Sequence, residues 1–342
     1  MIRILALVVA LVLPPAAAAA APATQAVAEA RLNSLMAKLA DYSAPHQAAM
    51  GEAGELVGLA ITGMTTAQTL AEERAGQRRV TAEMDAWEAQ TRARIESLRT
   101  KKDQLPPFPR EAFIALTAMA PAFKGRESAY AQVQVESIRS IDAAIAFAER
   151  SLGPARKAAM GDPQAMMDLA VETIAGLKLV IMAENAMLDV SIAASPPEHP
   201  QTALARSIRA SNAAMELFFD YEVASISGDP NDPARAAAGI RGKAEEARRS
   251  AREMIPLAAA LAADLKKAQP SPTIMRMNRI LDSYRESSAV ELELADVFER
   301  VADLIERGED SQEALDAAIA PVDVRVNRRL ELQAARLELL RS

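Results

Sequence analysis

The chain contains no cysteine, which removes disulfides, thiolate nucleophiles, Cys-attached haem and Cys-ligated zinc or iron–sulfur clusters at a stroke. It has only two histidines, His46 and His199, and aromatic residues make up 4% of it. A core built without large rings must rely on close packing of small aliphatic side chains. No G-x-S-x-G elbow, Gly-rich phosphate loop or H-E-x-x-H helix occurs, and no motif for a bound cofactor is found. A net charge of −7 opposes phosphate-backbone binding, so nucleic acid is not an expected partner.

The first residues, MIRILALVVALVLPPAAAAAAPA, place one positive charge at Arg3 before an apolar run from Ile4 to Leu13, a proline pair and small residues. That is the layout of a cleaved secretory signal. The apolar core is ten residues, against roughly 20 for a membrane-spanning helix. Ala18 and Ala20 offer the small residues that precede cleavage, so residues 1–20 are expected to be removed after Sec export to a bacterial periplasm. No stable membrane span is expected thereafter. Loss of Arg3 takes the formal charge from −7 to −8.

Half of the residues are apolar, and abundant alanine combines the best helix propensity with a small volume. The apolar residues recur at spacings of three and four, with no alternating run of the kind a strand needs. The expectation is an all-α, elongated antiparallel bundle with a long N-terminal helical arm, in which short connections make neighbouring helices antiparallel. Prolines supply the punctuation. The residue before a proline is pushed out of helical geometry, so breaks are expected at Pro45, at Leu105–Arg110, at Gly153-Pro154 and at the Pro-rich stretches near 196–200 and 269–272, with a kink or brief interruption at Pro256. Asp162-Pro163 and Asp232-Pro233 read as an N-cap followed by proline in the first turn. The division that follows is 21–105 for the arm and 106–342 for the C-terminal bundle, with the transition between 105 and 155.

Two features carry functional expectations. In the charged half of the arm, Val80, Met84, Trp87, Thr91, Ile95 and Leu98 form a narrow seam at coiled-coil spacing. It reads either as an exposed amphipathic hairpin arm or as a coiled-coil surface for an envelope protein or a second copy of the chain. The second feature is a set of carboxylates inside apolar stripes. With Leu177 at zero on a helical wheel, Glu184 falls at about −20°, within the stripe of Met166, Ala170, Ile181 and Leu188. That segment is apolar on most sides and reads as the interior helix.

Glu222 sits among Leu204, Ile208, Met215 and Phe218, and Glu291 among Ile280, Tyr284, Ala295 and Phe298. Ser211, Ser287 and Tyr284 face the same stripes, so a polar layer inside the bundle is expected. Such a layer is satisfied either by arginines from neighbouring helices or by a small cationic ligand or metal. Ferritin-like di-iron chemistry fails, because neither histidine follows a glutamate at the required spacing. His199 reads as an ordinary surface residue, and the last helix as a docked segment with the stripe Ile319, Val322, Val326, Leu330, Gln333, Leu337 and Leu340. These readings point first to a non-enzymatic exported protein acting by contact, and second to a periplasmic binder of a small cation.

Overall fold

A computed structural model describes residues 22–119, 124–228, 232–266 and 272–341. Among them there are only helices: α1 (Pro22–Glu72), α2 (Gln77–Asp103), α3 (Arg110–Met119), α4 (Glu127–Ala159), α5 (Pro163–Ala194), α6 (Pro200–Ser227), α7 (Pro233–Leu265), α8 (Pro272–Arg307), α9 (Gln312–Ile319) and α10 (Pro321–Arg341). The all-α bundle expected from composition and periodicity is present. The expected cleaved leader lies outside the described residues.

Capping explains several of the starts. Asp162 accepts hydrogen bonds from the backbone N–H groups of Gln164 and Ala165, and Asp232 accepts from Arg235. In both cases the following proline fills a position whose N–H has no intrahelical partner.

Three proline breaks do not occur. Pro45, Pro154 and Pro256 all lie inside continuous helices. Around Pro45 the buried face runs through without interruption, from Leu35, Leu39 and Tyr42 to His46, Ala49, Ala53 and Leu56. A proline inside a helix costs on the order of 3 kcal/mol, and burial of that many consecutive stripe residues exceeds it. The real turn comes where the apolar pattern stops, at residues 73–76, with Arg74 at a φ of 51°. α1 is therefore 51 residues long, about 75 Å, and α2 folds back along it.

The seam on α2 packs inside the chain. Val80, Met84, Trp87, Thr91, Ile95 and Leu98 are all buried, within a core shared with Leu56, Met64 and Leu70 of α1 and Ile141 and Phe147 of α4. As a partner surface this seam is corrected to the inner face of a hairpin completed by α4. The core continues to Ala165 and Leu169 at the start of α5, so Gly153-Pro154 separates nothing. Trp87 fixes the register of the hairpin, since its indole N–H donates to the Leu59 carbonyl at 2.9 Å. Its ring fills the space over Gly63, where an added Cβ would lie 1.9 Å from the ring.

α5 then passes from this first core to a second assembly of α6, α7, α8 and α10. Two apolar blocks fill that assembly. One holds Phe218, Phe219, Ile240, Phe298 and Ile305, and the other Leu188, Leu204, Met254, Ile280 and Tyr284.

The glycines of α1 test the hairpin register. Gly63→Ala should lower stability by about 1–3 kcal/mol through overpacking against Trp87. Gly58→Ala, at an exposed position with open space around it, should raise it by up to about 1 kcal/mol through helix propensity. Chemical denaturation of both variants checks the contrast, and equal effects would contradict the register.

Candidate functional site

Between the two apolar blocks of the second assembly lies a polar layer drawn from four helices. Its centre is Glu291 of α8, which is fully buried. Neither of its carboxylate oxygens has a hydrogen-bond partner. The nearest cation is Arg329 of α10, with Nη1 3.7 Å from Glu291 Oε1, a separation that attracts electrostatically but exceeds hydrogen-bond length. The other terminal nitrogen of Arg329 lies 3.7 Å from Oε1 of Glu184 on α5. One arginine therefore bridges two of the three glutamates picked out by the stripe pattern.

The layer extends on both sides. Glu184 Oε2 accepts from Asn212 Nδ2 of α6 at 2.9 Å, and the same nitrogen donates to Asn185 Oδ1 at 3.0 Å. Asn185 in turn donates to Glu216. Along α8 in the other direction, Ser287 accepts from Nη1 of Arg336 at 2.7 Å. The Arg336 guanidinium stands 5.0 Å from the centre of the Tyr284 ring, a cation–π distance, and the Tyr284 hydroxyl donates to Gln201 at 2.8 Å. The layer thus runs from Gln201 through Tyr284, Arg336 and Ser287 to Glu291, Arg329, Glu184, Asn212, Asn185 and Glu216.

The chemistry of Glu291 follows from its surroundings. Burial pushes its carboxyl up to about 7; the positive charge of Arg329 opposes the shift, and Glu184 adds to it. Burial likewise pulls the Arg336 guanidinium below its usual value, while Tyr284 and Glu291 act the other way. Two arginines and the two carboxylates Glu184 and Glu291 leave the centre of the layer electrically balanced.

The remaining site residues divide. Tyr284 and Ser287 belong to the layer as described. Ser211 is buried beside Asn212 in sequence, its hydroxyl without a hydrogen bond. Glu222 is apart from Glu184 and Glu291: it lies ten residues beyond Asn212, about 15 Å along α6, and accepts from Gln312 of α9 at 3.4 Å. Desolvation raises its pKa, with Gln312 opposing. Among the described residues no group of three or more His, Asp or Glu side chains is placed to hold a metal ion.

His199 is buried, not exposed. It caps α6, with Nδ1 accepting from the Gln201 backbone N–H at 3.1 Å, and desolvation lowers its pKa to about 4. Its proline neighbours suggested a loop, but the cap pulls the ring inward.

Arg329 and Arg336 were the residues missed in the sequence. The stripe read along α10 would turn Leu330 inward, yet Leu330 is 52% exposed, whereas Val322, Arg329, Leu332 and Arg336 are buried. The buried face is rotated by roughly 60° from the most aliphatic one. The available signal was the seven-residue spacing of Val322, Arg329 and Arg336, which keeps them in one line, together with the inward glutamates that need counter-charge. No protein-family model, no curated protein and no solved structure matches the chain.

The pairing predicts a strong asymmetry. Arg329→Met leaves Glu291 buried without its counter-charge and should cost about 3–5 kcal/mol at pH 8. Adding Glu291→Leu to that variant should recover most of the loss. Urea unfolding of the two single variants and the double variant measures the coupling; additive losses would mean the two side chains do not interact.

Proposed function

We propose that the chain is a non-enzymatic, Sec-exported helical protein of the bacterial cell envelope that works by protein–protein contact, as a scaffold, sensor-like or accessory component. The layout of residues 1–20 supports the compartment. The observation that carries the contact reading is the middle of α5. Instead of being the interior helix its composition suggests, it carries Leu177 at 39% exposure, Val180 at 41% and Met182 at 54%, with Met167 at 55% one side further back.

The physical reason is architectural. α5 packs against α4, α6 and, near its C-terminal end, α1, and its middle is left partly exposed. Single exposed apolar residues are ordinary, but Leu177 and Val180, three residues apart, are neighbours on one face of α5 and form a small apolar patch of the kind that marks interaction surfaces, with Met182 exposed on another face. Lys178, in the same stretch, is already held by Asp220, so the patch offers hydrophobic contact with little free charge.

The competing reading is a binder of a small cation or metal through the buried glutamates. It draws on the convergence of Glu184 and Glu291. Arg329 stands where such a cation would sit, however, and Glu222 does not join the pair. The two carboxylates at the centre of the layer already face two arginines, so contact is the reading we carry.

Site-specific photocrosslinking in the native cells tests it. A photoreactive residue at Val180 should give a discrete product in the periplasmic fraction that is lost on Leu177→Lys with Met182→Lys, while thermal unfolding of that double variant stays within about 0.5 kcal/mol of wild type. A photoreactive residue at Glu96, exposed on α2, should not give that product. No product at Val180, or one indifferent to both substitutions, would overturn the proposal, as would retention of the chain in the cytoplasm.

A further inference from the structure

We infer that α10 is a pH-governed strap, whose closure over α8 is set by the ionisation of the carboxylate it covers, Glu291. The inference stands on how α10 is attached. It runs antiparallel to α8, joining Arg325 to Glu293, Arg328 to Glu286, Arg329 to Glu291 and Arg336 to Ser287. Among its described side chains the apolar contribution is Val322 and Leu332, buried in the cluster with Val290, Leu294 and Val297 of α8, with Val326 and Leu339 packed beside the core. Among its described side chains the two most deeply buried are Arg329 and Arg336, 5% and 3% exposed. α10 is also separated from α9 at Ala320–Pro321, where proline lacks the N–H that would continue the helical hydrogen bonding.

Beneath this strap Glu291 has no hydrogen bond to either oxygen. The charged and titratable groups that act on it are few. α10 contributes Arg329 and Arg336, and α5 contributes Glu184. α6 contributes the neutral Asn212 at this level, with Glu216 one link further along through Asn185. α7 meets α8 here through Ala251, whose carbonyl accepts from Ser288. Its Arg248 is committed to Asp296 and Glu299 further along α8. α9 packs beyond that, around Ile305 and Leu315.

The direction of the effect follows from the closed and open states. Closed, the Glu291 carboxyl is held up near 7 by burial; open, with α10 lifted, water restores the ordinary carboxylate value of about 4.3. A group whose pKa is raised in the closed state favours closure below its open-state value, and that preference is lost as pH rises through the closed-state value. The strap is therefore tight in acid, loosens from about pH 4.5 to 7, and has no further dependence on this group above that window. Its opening constant should increase on the order of a hundredfold between pH 5 and pH 8.

Hydrogen–deuterium exchange of the full mature chain, corrected for intrinsic exchange rates, reads the strap directly. In wild type, amides of residues 325–340 should lose protection between pH 5 and pH 8 while those of 240–255 in α7 do not. Glu291→Gln, which keeps the shape and cannot ionise, should make α10 protection independent of pH. Three results would overturn the inference: α10 protection in wild type that is flat over this range, loss of protection in α7 together with α10, or an undiminished pH dependence in Glu291→Gln. The wild-type profile decides the matter even where the variant folds poorly.

Discussion

A carboxylate buried to zero exposure, with no hydrogen bond and a cation just beyond reach, is the constraint around which the second half of this chain is arranged. Moving a carboxylate from water into a protein interior costs several kcal/mol unless a charge or hydrogen bonds replace the water. Glu291 receives a partial replacement from Arg329, and that need explains why α10 buries Arg329 and Arg336 while Leu330 stays exposed. Arg329 in turn is itself expensive to bury, and its second contact, with Glu184, ties α5 into the same arrangement. Four helices are thereby registered against one another by groups that tolerate little displacement. Apolar packing alone is more forgiving, because hydrophobic side chains of similar size can exchange neighbours at modest cost.

The two halves of the chain solve the shortage of aromatic residues differently. In the first core, Trp87 and Phe147 sit over Gly63 and Gly176, where no Cβ would fit, so two rings are accommodated by removing volume from the facing helix. In the second assembly, alanines such as Ala210, Ala214, Ala237, Ala244 and Ala247 bring α6 and α7 close, and Phe218 and Phe298 fill what remains. α5 belongs to both: Ala165 and Leu169 lie in the first core, Ile174 and Leu188 in the blocks of the second. Where α5 passes from one core to the other, Leu177, Val180 and Met182 stay partly exposed despite the apolar composition around them.

The helical architecture was legible because it is written in local terms. Asp162-Pro163 and Asp232-Pro233 mark starts that depend only on cap chemistry, and the Pro-rich stretch near 196–200 separates α5 from α6. The inner breaks were not legible. A proline penalty is a fixed local cost, whereas the burial that outweighs it at Pro45 comes from residues of α2, α3 and α4 distant in sequence. The same limit applied to the polar layer. Helical wheels placed Glu184, Glu222 and Glu291 on apolar faces; Glu291 is buried and the other two half-buried, and a wheel carries no height. Glu184 and Glu291 meet, while Glu222 falls a block away beside Gln312. The rotation of α10 was hidden for a related reason: hydrophobicity favours the leucine face, and only the carboxylates of α5 and α8 make the arginine face the better one.

The central claim is that Glu291 is held in a medium that resists its ionisation and is compensated from α10. The most direct measurement is a ¹³C NMR titration of the glutamate side-chain carboxyl carbons in the mature chain, with the Glu291 resonance assigned by its absence in Glu291→Gln. The account predicts a midpoint of about 7. A midpoint at the ordinary glutamate value of about 4.3 would mean that water or a close hydrogen bond reaches the carboxylate, and would contradict it.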